Sequence, residues 1–150
     1  IALQRLLQNA VTHVRILSSQ FFCPFWTELL PDLRAFLKTR QGNKMDIIVL
    51  HRQDESRIIL ESLSRESCGQ VTVCAVDLEK LERSVSCKGS RLTANFMVVD
   101  PVGYRFEVSE DANFSAVRGI INFGDEAGTK ELIEVFDVLK HACSVPYLSA

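Results

Sequence analysis

Apolar residues recur along the chain in two patterns, helical stripes and short strand-like runs. The i, i+3, i+4, i+7 spacing that starts at Leu3 predicts an amphipathic helix over residues 1–11. Further along, the sequence predicts strands at 13–19, 45–50 and 71–76, helices at 24–38 and 56–64, and a short helical or irregular connection at 77–86. This alternation predicts crossover connections onto a parallel or mixed sheet.

The segment Thr93 to Asp100 (TANFMVVD) reads as the central strand of that sheet. Four large apolar residues precede Asp-Pro and Gly103, which is typical of a short buried strand entering a tight turn. In residues 104–108, apolar and charged side chains alternate, which predicts a second strand. This strand would run back along the first and form a hairpin with it. The strand predicted at 116–123 contains Gly119, a residue typical of a bulge.

The last predicted helix runs from Asp125 to about residue 142. A carboxylate at its first position can accept hydrogen bonds from the free amides of the first turn. Pro146 then marks the tail. Helices before and after the central strand predict an α/β fold, a mixed sheet flanked by helices on both faces.

Composition indicates one ordinary globular domain over residues 1–150. The chain is 47% apolar and 24% charged, with a formal net charge of −2, so no overall bias toward nucleic acid or an anionic membrane exists. No apolar run approaches the roughly 20 residues that would span a bilayer. Five cysteines without C-x-x-C spacing predict reduced thiols in a cytoplasmic protein, with no metal site and no cofactor. Because the chain starts at Ile1, we expect an excised domain of a longer protein.

Polar residues at the carboxyl ends of the early strands are the first candidates for a binding site. Ligands of open α/β sheets collect beyond these ends. That rule selects Ser18 after the first strand, and His51 with Arg52 after the second.

The central strand carries a family resemblance. The phospholipase D-like superfamily has the pattern His-x-Lys-x-x-x-x-Asp on such a strand, followed by Gly-Ser-x-Asn. Aligned by Asp100, the chain has Thr93 and Asn95 in place of the His and Lys. The second element falls on EDANFS at 110–115, which adds Asn113 and Ser115 to the candidates. The order of helices and strands along the chain also resembles that fold.

The resemblance implies a scaffold without the family's chemistry. In the family, the His attacks phosphorus and the Lys holds the phosphate oxygens. Thr93 lacks an imidazole, and Asn95 is a neutral donor where a cation is expected. We therefore expect a non-catalytic binding or regulatory module that contacts a protein, a phospholipid headgroup or a nucleic acid. Single-motif members form two-fold dimers, so the resemblance also implies a homodimer through the face that carries the hairpin.

A narrower likeness extends downstream. Bacterial phospholipase D-like domains without the catalytic pair show an aliphatic strand ending in Asp, then Tyr-Arg, then Asn-Phe-x-Asp. Here these motifs are MVVD, Tyr104-Arg105 and Asn122-Phe123-Gly124-Asp125.

Two other interpretations stay open. The first is a divergent phosphodiester hydrolase that uses His51 and Asp100 in place of the family pair. The second is a structural or regulatory domain inside a longer polypeptide, which the absence of an initiator Met suggests.

Overall fold

The computed structural model describes residues 2–19, 24–84, 94–109 and 117–148. These residues form five helices and seven strands, in the order α1 (Ala2–Gln8), β1 (His13–Ser18), α2 (Pro24–Thr39), β2 (Lys44–Val49), α3 (Asp54–Glu66), β3 (Val71–Val76), α4 (Leu78–Ser84), β4 (Ala94–Asp100), β5 (Gly103–Ser109), β6 (Val117–Phe123), α5 (Glu126–Ala142) and β7 (Ser144–Pro146).

All seven strands belong to one sheet, in the order β6-β5-β4-β1-β2-β3-β7. β1, β2 and β3 are parallel, and α2 and α3 connect them, as the alternation of the sequence predicts. β4 pairs antiparallel with β1 and continues into an antiparallel hairpin with β5. The sheet is therefore mixed, and β4 enters it beside the first strand of the chain.

Each face of the sheet has its own hydrophobic core, because alternate residues of a strand point to opposite faces. On one face, α1, α2 and α3 pack over a core that includes Ile16, Ile47 and Met97. On the other face, α4 and α5 pack over a core centred on Phe96 and Phe136. The predicted α/β arrangement with helices on both faces is confirmed.

The turn between β4 and β5 depends on a glycine. A Cβ at Gly103 would lie 2.1 Å from the carbonyl oxygen of Asn122 on β6. The N–H of Gly124 also donates to the carbonyl of Val102 across this corner, at 2.9 Å. The end of β6 is thereby held tightly against the start of β5.

Two details of the sequence prediction are wrong. Gly119 does not form a bulge, because every residue of β6 pairs with β5 in one continuous register from Gly103–Phe123 to Ser109–Val117. Pro146 does not lie in a tail but ends β7, which pairs antiparallel with β3. Proline cannot donate to a ladder, so it is tolerated here at the end of an edge strand.

Some of the other expectations can be compared with the described residues. Cys68, Cys74 and Cys143 are free thiols. None of the described helices is long and apolar enough to cross a membrane. The single domain, the cytoplasmic location and the homodimer stay predictions.

Candidate functional site

The carboxyl end of β1 lies beside the start of β4. This is the edge of the sheet where the sequence predicts candidates for a binding site. The register of the two strands pairs Leu17 with Phe96, which sets Ser18 beside Asn95. The backbone N–H of the buried Ser19 donates to the Asn95 side-chain oxygen at 2.6 Å. The Asn95 amide therefore closes the end of β1, and this oxygen is engaged within the protein.

Ser18 is joined to the helix that follows it. Its hydroxyl oxygen accepts a hydrogen bond from the indole N–H of Trp26 at 3.0 Å. Trp26 is buried, and a buried indole needs a partner for its N–H. The ring of Phe25 packs edge-on against Trp26, with centroids 5.0 Å apart. Both rings pack against the core on this face of the sheet.

An ion pair lies on the strand next to Asn95. Glu107 is the residue directly opposite Asn95 in the β4–β5 register. Its carboxylate accepts a hydrogen bond from the guanidinium of Arg105. That guanidinium also lies 4.1 Å from the ring centroid of Phe25, within the range of a cation–π contact. Sequence reasoning missed this pair, although two residues at i and i+2 of a predicted strand share one face.

We define the carboxyl-edge site as Ser18, Ser19, Trp26, Asn95, Arg105 and Glu107. Of its members, Ser18 and Asn95 are candidates that the sequence predicts. In chemical terms it holds hydroxyl groups, one neutral amide, and an ion pair of no net charge. The positive charge of Arg105 that would attract a phosphate is offset by the Glu107 carboxylate.

His51 and Arg52 lie at the same edge of the sheet, beyond β2. Both are exposed and line an open depression of about 580 Å³ together with Asp77, Glu79 and apolar residues of β3 and β7. The Asp77 carboxylate accepts from the N–H groups of Glu79 and Lys80 at the start of α4. The depression therefore has mixed charge, and its acidic side is partly used to hold α4.

Asp100 lies at the opposite edge of the sheet. The register pairs it with His13, which in turn pairs with Lys44 at the start of β2. His51 follows the far end of β2, and the five steps from Lys44 to Val49 alone span roughly 17 Å at a strand's rise per residue. His51 and Asp100 are therefore too far apart to act on the same phosphodiester bond. The structure does not bring them into one site, as the hydrolase interpretation would require.

Asp100 belongs instead to a group of charged residues beneath α5, here named the amino-edge cluster: His13, Arg15, Asp46, Asp100, Asp137 and Lys140. The Arg15 guanidinium lies 4.0 Å from Asp100 and 3.6 Å from Asp137. Asp46 contacts His13 at 2.8 Å and Lys140 at 2.9 Å. Burial by itself would raise the pKa of Asp46, but the hydrogen bonds and charges of these two partners lower it to about 2.

The downstream motif residues meet at the start of α5. The Tyr104 hydroxyl donates to the Asp125 carboxylate at 2.8 Å, and the N–H of Gly128 donates to it at 2.9 Å. The bond from Gly128, and then that from Tyr104, lowers the pKa of Asp125. Asn122 adds a longer contact to the Tyr104 oxygen at 3.4 Å. These residues cap the helix, as the sequence predicts for Asp125, and anchor it to β5.

Three candidates, Thr93, Asn113 and Ser115, lie outside the described residues. Among the described candidates, the structure brings Ser18 and Asn95 together, places His51 and Arg52 at the same edge, and separates Asp100 from all four. A role in ligand binding stays a prediction for each of them. Within the described ranges, no three His, Cys, Asp or Glu side chains form a group able to hold a metal ion.

No family model matches the chain, and no curated protein matches it. Among solved structures, it is similar to TrmBL2, described as an archaeal chromatin protein with a novel mode of DNA binding. The TM-score is 0.60 at 15% sequence identity, and the match covers 94% of this chain and 47% of TrmBL2. The likeness shows the fold, and the chain spans about half of that protein's length.

Proposed function

We propose that this chain is a non-catalytic binding module with a phospholipase D-like fold. The observation that carries the proposal is the hydrogen bond between the Ser19 N–H and the Asn95 side chain. In the alignment by Asp100, Asn95 stands where the family has its phosphate-binding lysine. Here that position has a structural role, because its oxygen satisfies a buried backbone donor.

The surroundings of Asn95 support the same conclusion. Stabilising a pentacovalent phosphoryl group needs positive charge directed at its oxygens. The cation nearest in the register, Arg105, is neutralised by Glu107, and Glu107 lies opposite Asn95. A phosphodiester placed against this strand would meet an ion pair of no net charge.

A hydrolysis assay tests the absence of catalysis. We expect no turnover of bis(p-nitrophenyl) phosphate by the chain, with or without divalent metal. A phosphodiesterase in the same buffer provides the positive control. Turnover that is abolished by His51→Ala or Asp100→Ala, in variants that keep the wild-type circular dichroism, would overturn the proposal.

Nucleic acid is the partner class to test first, because the structural neighbour binds DNA. The exposed side chain of Arg52 offers positive charge at the carboxyl edge, beside the exposed side chain of His51. We expect fluorescence anisotropy of a labelled DNA duplex to rise with added protein, and to rise less at higher salt because phosphate contacts release counterions.

The matched variants are Arg52→Ala and Arg40→Ala. Arg40 is also exposed but follows α2 at the opposite edge of the sheet. If the carboxyl edge binds the duplex, Arg52→Ala weakens binding several-fold and Arg40→Ala leaves it unchanged. Equal effects of the two substitutions would exclude the carboxyl edge as the surface that binds the duplex. No binding at low salt would leave a protein or a phospholipid headgroup as the partner of the module.

A further inference from the structure

The depression at the carboxyl edge has an apolar floor. The register of β2 and β3 ends with Val49 opposite Ala75. Leu50 and Val76 follow this pair, and both are buried. They line the depression together with Val145 of β7, the next strand of the sheet. The floor therefore extends across the ends of three neighbouring strands.

The two walls of the depression carry opposite charge, because they come from different connections. On the β2 side, the exposed side chains of His51 and Arg52 precede α3. On the β3 side, Asp77 precedes α4 and Glu79 lies in its first turn. The Asp77 carboxylate accepts from two N–H groups of that turn and lies 3.9 Å from the Lys80 ammonium. Asp77 is thus engaged within the protein.

Glu79 offers its carboxylate to a ligand. Its side chain is 84% exposed and lies 3.6 Å from the guanidinium of Arg83, whose side chain is 79% exposed. An ion pair between two such side chains is weak, because water screens both charges. The Glu79 oxygens can therefore accept hydrogen bonds from a group bound in the depression. This wall repels a phosphate, whereas the Arg52 wall attracts one.

The mixed charge distinguishes between forms of nucleic acid. A duplex presents phosphates along both strands, and its stacked bases cannot place a face on an apolar floor. In a single strand, the phosphate, the face of the base and the edge of the base can each contact a different surface. The cytosine N4 amino group donates to Asp or Glu side chains, whereas uracil, like thymine, has the acceptor O4 at that position.

We propose that the depression binds an unpaired cytosine nucleotide of a single strand. The phosphate contacts Arg52, the base lies on the apolar floor, and the N4 amino group donates to Glu79. The volume of about 580 Å³ lies within the roughly 300–1,000 Å³ of sites that hold small organic groups. Because the depression is open, the strand can continue beyond it on both sides. The inference rests on the proposed function, with nucleic acid as the partner class, and adds the form of the nucleic acid and the base.

Fluorescence anisotropy with labelled oligo-dC and oligo-dU of equal length tests the inference. We expect the wild type to bind oligo-dC about ten-fold more tightly, because uracil has no amino group for Glu79. Glu79→Gln is expected to bring this ratio to about one, since an amide can accept from N4 or donate to O4. Glu61→Gln is the matched control, because Glu61 forms the same i,i+4 ion pair with an arginine on α3. It is expected to keep the wild-type ratio.

Arg52→Ala is expected to weaken the binding of both oligonucleotides by the same factor, because a phosphate contact does not read the base. Unlabelled dCMP is expected to displace oligo-dC only in large molar excess of nucleotide. Displacement at equal nucleotide concentration would overturn the single strand as the ligand in favour of a free nucleotide.

Two further outcomes separate this inference from the proposed function. Equal wild-type affinities for oligo-dC and oligo-dU, or a preference that Glu79→Gln retains, would overturn the inference. If a duplex of the same length still bound and Arg52→Ala weakened that binding, the proposed function would stand. Lack of binding to oligo-dC, oligo-dU and the duplex at low salt would overturn the inference together with nucleic acid as the partner class.

Discussion

The backbone N–H of Ser19 and the side-chain oxygen of Asn95 lie 2.6 Å apart, although 76 residues separate them in the chain. The bond joins the end of the first strand to the start of the central antiparallel strand. The bond also involves Asn95, the residue at the position where the resemblance to phospholipase D-like proteins would place a lysine. Its contribution to stability can therefore be measured separately from any activity.

Replacing Asn95 by Ala is expected to lower the free energy of unfolding by about 1–3 kcal/mol, because the Ser19 N–H is buried and would lose its acceptor. Asn9→Ala is the control, since the Asn9 side chain bonds the Arg5 carbonyl at an exposed position. We expect the control to change stability by about 0.5 kcal/mol or less. Urea unfolding measures both, and equal losses would contradict a structural role for Asn95.

The neighbouring bond between Trp26 and Ser18 gives a second prediction. A double-mutant cycle of Trp26→Phe and Ser18→Ala is expected to give a coupling energy of about 1 kcal/mol, the usual net value of such a hydrogen bond. Trp26→Phe keeps most of the buried aromatic surface, so the cycle isolates the polar contact. Losses of stability that simply add would show that the two side chains stabilise the fold independently.

The sequence predicts most helices and strands because their apolar spacing is regular. β7 was missed because it has three residues and ends in proline, too short for a periodic signal. α3 begins at Asp54 and ends at Glu66, beyond both ends of its apolar stripe, since polar first and last turns carry no hydrophobic signal. The bulge at Gly119 was inferred from residue type, but the partner strand sets the register.

The candidate site could be predicted in part. Ser18 and His51 lie at one edge because β1 and β2 are parallel, so that their carboxyl ends meet there. Asn95 lies at the same edge because it is at the amino end of the antiparallel strand β4. Asp100 lies at the other edge because β4 runs antiparallel to β1, a pairing between distant segments that a local pattern does not contain. Likewise, the bond from Ser19 to Asn95 could not be anticipated, since it depends on which strands become neighbours.

The turn between β4 and β5 supplies a third prediction. Gly103→Ala would place a Cβ 2.1 Å from the Asn122 carbonyl oxygen, and this backbone contact cannot be relieved by moving a side chain. We expect a loss of about 2–4 kcal/mol. Gly42→Ala is the control, because a Cβ there meets no atom within 4 Å. Thermal unfolding is expected to show a lower midpoint for Gly103→Ala and little change for Gly42→Ala; similar midpoints would contradict the tight corner.

The amino-edge cluster predicts how stability depends on pH. The folded-state pKa of Asp46, about 2, lies below the ordinary value of 3.8. The unfolded chain therefore takes up a proton first as pH falls, and the stability that Asp46 contributes is complete above pH 3.8 and is lost as pH falls toward 2. Lys140→Met removes one of the two donors, so the pKa of Asp46 is expected to rise and the loss to begin at a higher pH.

NMR titration of the Asp46 carboxyl carbon, with urea unfolding at each pH, measures both quantities. Asp46→Asn cannot titrate, so its stability is expected to change less between pH 4 and 2 than that of the wild type. The same variant is expected to be less stable than the wild type at pH 7, because a neutral amide is a weaker partner for Lys140 than a carboxylate. A wild-type profile that overlays that of Asp46→Asn below pH 4 would show that the ion contacts of Asp46 do not contribute to folding.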